Sequence, residues 1–142
     1  MIAVSAFGCG TGEVIGKAAK LGAVLQHVSI EVPPAEAESA VAFWGLLGFE
    51  RVESPEALGG YVTWVERRGT QIHLIHTDEA TVPVLGHAAV VVEDFAEALE
   101  RVRDAGHEVE ETRELWGARR AFAIAPGGHR VELMESPPPA SR

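Results

Sequence analysis

The chain has a single cysteine, Cys9, so no internal disulfide can staple it and the fold must rest on packing. It has no apolar run near the roughly 18 residues that a membrane-spanning helix needs. Its first residues also lack the basic start and long apolar stretch of a signal peptide. Basic residues are scarce: 12 Lys and Arg against 21 Asp and Glu leave a net charge of −9, a mean field that repels phosphate backbones. These absences argue against nucleic-acid and membrane partners and fit a cytoplasmic protein. What remains is an ordinary globular composition, 142 residues of which 46% are hydrophobic and 23% charged, enough for one domain with a sizeable core.

Glycines at 8, 10, 12 and 16, the last followed by Lys17, suggest a phosphate loop, but Thr11 stands where that motif needs Gly and Ala18 where it needs Ser or Thr. Residues 1–22 therefore read as an amino-terminal arm. Beyond Leu21 the chain repeats itself once. Gln26-His27-Val28-Ser29-Ile30 and Gly86-His87-Ala88-Ala89-Val90 each open a half as a short strand with one His near its start. A helix follows each: Val41, Phe43, Trp44 and Leu47 lie near helical spacing in the first. In the second, Asp94 caps a helix in which Phe95, Leu99 and Val102 recur at three and four. Gly48 and Gly106 supply the left-handed stops.

The closing strands, Gly69 to Leu74 and Gly128 to Leu133, match as well. His73 follows His27 by 46 positions and Glu132 follows His87 by 45, so two copies of one βαβββ unit carry ligand-capable residues at equivalent places. The expected architecture is α+β, with two βαβββ modules at 23–77 and 78–136 forming curved mixed sheets around a cleft, and a proline-rich tail over 137–142. Strand alternation puts His27 with Ser29 and Glu31, His73 with Gln71 and Ile75, and Glu132 with Arg130 and Met134, each away from the more apolar face. If the two sheets face each other, His27, His73, His87 and Glu132 converge, a set suited to zinc, nickel, cobalt, manganese or ferrous iron. A lone strand histidine is more often structural; placement at equivalent repeat positions favours metal binding. His107, after the helix-ending Gly106, reads as structural, and parity turns His76 and His129 away from the site.

At these residues the sequence resembles the vicinal oxygen chelate superfamily, which includes glyoxalase I, methylmalonyl-CoA epimerase, extradiol dioxygenases, fosfomycin-resistance transferases and bleomycin-binding proteins. The likeness spans about residues 24–135 and rests on Phe43-Trp44-Gly45-Leu46-Leu47-Gly48-Phe49, Gly86-His87, and the run from Ala125-Pro126-Gly127-Gly128 to Glu132-Leu133. The resemblance implies that His27, His87 and Glu132 take three metal positions. His73 occupies the fourth, where glyoxalase I commonly has Glu and the epimerase Gln. Ala125 likewise stands where the family usually has Asp. It further implies a homodimer and a small-molecule substrate with adjacent oxygens.

The preferred activity is that of a glyoxalase I-like lyase or isomerase, in which the metal stabilises an enediolate and Glu132 is the catalytic base. One alternative is a ferrous extradiol dioxygenase with His27, His87 and Glu132 as its triad. Another is a metal-free drug-sequestering protein with Trp64 and Trp116 as cleft walls. Ser29 lies where fosfomycin transferases carry a hydroxyl residue. Arg120 and Phe122 share a face that the resemblance turns toward the cavity, where Arg120 is placed to clamp a substrate carboxylate.

Overall fold

Short β-branched runs separated by glycine turns pair as strands, and here they do so in two copies of the same topology. The computed structural model describes residues 24–140, so the arm expected over 1–22 and the last two residues of the tail lie outside the described residues. In the first module β1 (His27–Val32) is followed by α1 (Ala37–Leu46), β2 (Glu50–Val52), β3 (Val62–Arg67) and β4 (Thr70–His76). In the second, β5 (Ala88–Val91) is followed by α2 (Phe95–Asp104), β6 (Val109–Leu115), β7 (Ala118–Ile124) and β8 (Arg130–Met134). The sheets run β1-β4-β3-β2 and β5-β8-β7-β6, so the repeat read from the sequence is a repeat of topology. In each, the first and last strands pair in parallel and the remaining pairs are antiparallel.

The helices cover one face of the sheets. α1 buries Ala37, Ala40, Phe43 and Trp44, and α2 buries Phe95, Ala98, Leu99 and Val102 at three- and four-residue intervals. Asp94 caps α2 as expected, its carboxylate accepting from the Glu97 N–H at 3.0 Å. The inward residues of both sheets, among them Val32, Leu74, Val131 and Leu133, join the helices in one core that spans the two modules. Polar contacts fasten the same junction. Arg101 donates to the Leu46 carbonyl at 2.9 Å, and His129 donates from Nε2 to the Glu31 carbonyl at 2.6 Å. His107 packs its ring edge-on against Phe43 at 5.0 Å between centroids. His107, read as structural, thus packs on the core, and His129 bridges the two modules.

The turn after α1 requires its glycine. Gly48 has φ +85°, and a Cβ there would lie 1.6 Å from Nη1 of Arg67, which donates to the Leu47 carbonyl at 2.9 Å. Three residues earlier Gly45, within α1, has open space around its missing side chain. Gly48→Ala should therefore lower unfolding stability by about 1–2 kcal/mol through left-handed strain and displacement of Arg67. Gly45→Ala should raise it by about 0.5 kcal/mol. Urea denaturation of both variants checks the opposite signs.

Candidate metal centre

The register of β1 against β4 sets Ser29 opposite His73 and His27 opposite Gln71, and the register of β3 sets Trp64 opposite His73. All five residues share the face that the first sheet turns away from the core. The rings stack: His73 lies between Trp64, at 4.2 Å and 6°, and His27, at 4.1 Å and 14°. Nε2 of His73 meets Oε1 of Gln71 at 2.8 Å, and the Gln71 amide nitrogen donates to Glu66 at 2.8 Å. Nδ1 of His27 meets the amide oxygen of Gln26 at 2.8 Å. His73 is buried, and this burial, followed by the charge of His27 beside it, holds its pKa below the ordinary histidine value. A neutral imidazole is the ligand form. Beside this face lies a groove of about 420 Å³ walled by Leu58, Tyr61, Val62, Trp64 and Ile75.

The second sheet presents a matching pair. Glu132 on β8 stands opposite Phe122 on β7 and Ala89 on β5, and His87 sits just ahead of β5. Glu132 is buried, with one carboxylate oxygen accepting from Nε of Arg120 and the other 3.1 Å from Nε2 of His87. Phe122 lies edge-on to His87, at 5.1 Å between centroids, and the Arg130 guanidinium lies over the Phe122 ring at 4.0 Å. Arg120, expected to clamp a substrate carboxylate, here holds the carboxylate of Glu132.

Nδ1 of His87 lies 2.9 Å from the Leu85 carbonyl oxygen, which can only accept, so Nδ1 carries the hydrogen. In neutral His87 the nitrogen facing Glu132 then bears a lone pair. Two acceptors 3.1 Å apart repel unless a positive centre serves both, either a second proton on the imidazole or a metal ion. Donors about 2.1 Å from one cation and at right angles are about 3.0 Å apart, so the donor pair fits a borderline divalent metal.

The two pairs do not meet within one chain. Among the described residues no three His, Cys, Asp or Glu side chains gather where one ion could bind them. The sequence leaves open whether one chain or two would build the site; here both sheets give their inner faces to a common core, and each pair lies on the opposite face of its own sheet. Ser29 and Trp64 lie with the first pair, and Arg120 and Phe122 with the second. Trp116 sits at the β6–β7 turn and donates to the Ser136 carbonyl at 3.2 Å. His76 bonds Thr63 and the Gly60 carbonyl, away from the first pair. The sequence assigns no role to Gln71, the partner of His73, although it shares the same face by parity, nor to Glu66, the partner of Gln71.

Comparison with known proteins identifies this framework. Residues 24–133 match the family model of the Glyoxalase/Bleomycin resistance protein/Dioxygenase superfamily. A solved protein of the glyoxalase family from Bacillus anthracis is 26% identical, with a TM-score of 0.73 over 81% of this chain and 96% of its own. The fosfomycin resistance protein FosX from Listeria monocytogenes, solved as a mutant with Mn(II) and dihydroxypropylphosphonic acid, is 20% identical, with a TM-score of 0.67 over 82% and 93%. TnmS3, an antibiotic binding protein from a Streptomyces species, is 18% identical, with a TM-score of 0.62 over 80% and 95%. The last two share the fold. None of the curated proteins matches the sequence. Among the described residues no helix is long and apolar enough to cross a membrane.

The lowered pKa of His73 makes stability depend on pH in a definite direction. The unfolded chain binds a proton at this residue more readily than the folded one, so this contribution is complete above about pH 6.5. It is lost as pH falls from there through the lower folded value. In chelator-treated protein, wild type should lose urea resistance between pH 7.5 and 5 faster than His73→Gln does. Parallel midpoints across that range would contradict the assignment.

Proposed function

We propose, from the premise that this chain belongs to the Glyoxalase/Bleomycin resistance protein/Dioxygenase superfamily, that it is a divalent-metal-dependent lyase or isomerase whose site is completed by two copies of the chain. His27 and His73 of one copy would hold the ion together with His87 and Glu132 of the other, and the substrate would be a small molecule bearing adjacent oxygens. The observation that carries this reading is the facing pair of acceptors at His87 and Glu132, 3.1 Å apart, a donor set that wants a cation. The bound ion would supply Lewis acidity to the substrate oxygens, easing loss of a proton from the neighbouring carbon. Glu132 is the base for that proton. Arg120 fixes one of its oxygens, Phe122 packs edge-on against the ring of His87, and the groove beside Trp64 receives the body of the substrate.

One observation favours a second reading, that of a metal-free binding protein. The groove wall is apolar and includes the Trp64 ring, a flat surface against which a planar ligand could pack.

Elemental analysis of untagged protein separates the two. Wild type should carry near-stoichiometric metal, and His27→Ala/His73→Ala and His87→Ala/Glu132→Gln should each lose it. Mixing the two variants under conditions that exchange subunits should restore about a quarter of the wild-type metal, since half of the dimers are mixed and each of those holds one intact site of two. Wild-type protein that neither contains nor takes up metal would overturn the enzyme reading, and metal that stays lost on mixing would overturn the shared site. In wild type, nickel or zinc would point to isomerase chemistry and iron to oxygenation. Glu132→Gln alone should abolish turnover while leaving some metal bound.

A further inference from the structure

The stack around His73 fixes the plane of its ring but not its direction. Rotation by half a turn about the Cβ–Cγ bond leaves the ring equally sandwiched between Trp64 and His27 while exchanging its nitrogen and carbon edges. Something else must choose between the two states. Nε2 of His73 meets Oε1 of Gln71 at 2.8 Å, and Nε2 of Gln71 meets Oε2 of Glu66 at the same distance. A carboxylate has no hydrogen to give, so the Gln71 NH2 must face Glu66 and its carbonyl oxygen must face the imidazole. That oxygen in turn accepts only, so the hydrogen on neutral His73 belongs on Nε2 and the lone pair on Nδ1.

We propose that Glu66 and Gln71 form a relay that sets the tautomer and ring direction of His73, so that this residue offers Nδ1, and not Nε2, to whatever binds on the open face of the first sheet. Glu66, Gln71 and His73 come from adjacent antiparallel strands, with Glu66 directly opposite Gln71 in the β3–β4 register. The relay therefore lies across the sheet with no loop in it. The two modules handle the problem differently. His87 is oriented by a backbone carbonyl through Nδ1, which turns Nε2 to the site, whereas His73 is oriented by side chains through Nε2. Gln71 and Glu66 are positioning residues; neither touches the reacting atoms.

The tautomer can be read without metal, substrate or turnover, by two-bond nitrogen–proton correlation spectra of histidine-labelled, chelator-treated protein near pH 8, with His73→Gln identifying the signals of His73. Wild-type His73 should be the Nε2–H form. Gln71→Leu should shift it to a mixture or to the Nδ1–H form. The exchange variant Glu66→Gln/Gln71→Glu keeps the polarity of every bond, because the amide introduced on β3 then donates to the carboxylate introduced on β4, which accepts from His73. It should restore the wild-type spectrum. A wild-type His73 in the Nδ1–H form, or a Gln71→Leu spectrum with the wild-type tautomer, would overturn the relay.

Its consequence for binding rests on the metal reading above. Metal affinity, measured by competition with a chromophoric chelator, should fall by about 10- to 100-fold in Gln71→Leu and recover in the exchange variant. If wild type takes up no metal, that reading fails while the tautomer result still stands or falls on its own spectrum.

Discussion

Everything at the candidate site depends on one pairing, the parallel contact between the first and last strand of each module. A strand alternates its side chains between two faces, so a parallel partner in fixed register brings together residues some 45 positions apart in sequence. A slip of one residue in β4 against β1 would send His73 into the core and put Ile72 or Leu74 on the open face. The burial of Leu74 and Val65 on the inner side makes that slip costly, because each carries apolar area that water would otherwise meet. The hydrophobic core, in this sense, is what aims the histidines.

This explains which features were legible in the sequence. Period-two alternation is local, so the faces of His27, His73 and Glu132 were readable, and the repeat supplied the strand order within each module. Asp94, Gly48 and Gly106 announced the helix ends because capping and left-handed turns have residue-level chemistry. The relation of one module to the other was not readable in the same way. It is set by how α1, α2 and the inner faces share a common core, a property of summed packing that no spacing in the sequence encodes. Whether one chain or two would bring the two pairs together was therefore open in the sequence, while both pairs were legible by parity and repeat. Arg120 illustrates a related gap: parity placed it on the correct face, but only the structure shows which carboxylate it holds.

The module junction also explains why two outlying histidines belong to the architecture. β1 is an edge strand, and edge strands leave backbone groups without partners. His129, from the turn leading into β8, donates to the Glu31 carbonyl on that edge, and the Glu31 carboxylate accepts from the Thr81 N–H of the connecting segment at 2.7 Å. The Gly127 N–H meets Glu36 in the same region. One backbone acceptor on that edge, the Glu31 carbonyl, is thus satisfied inside the chain, and the contact of His107 on Phe43 lies on the helix side.

The stacking of Trp64 on His73 has an optical consequence. The three tryptophans occupy three environments: Trp44 is fully buried in the core, Trp116 is 41% exposed at a turn, and Trp64 lies against an imidazole. Indole emission is quenched by a neighbouring protonated imidazole and by bound paramagnetic ions, and the effect falls steeply with distance. Trp64 is therefore an intrinsic light-emitting probe of the state of His73, built into the wall of the groove.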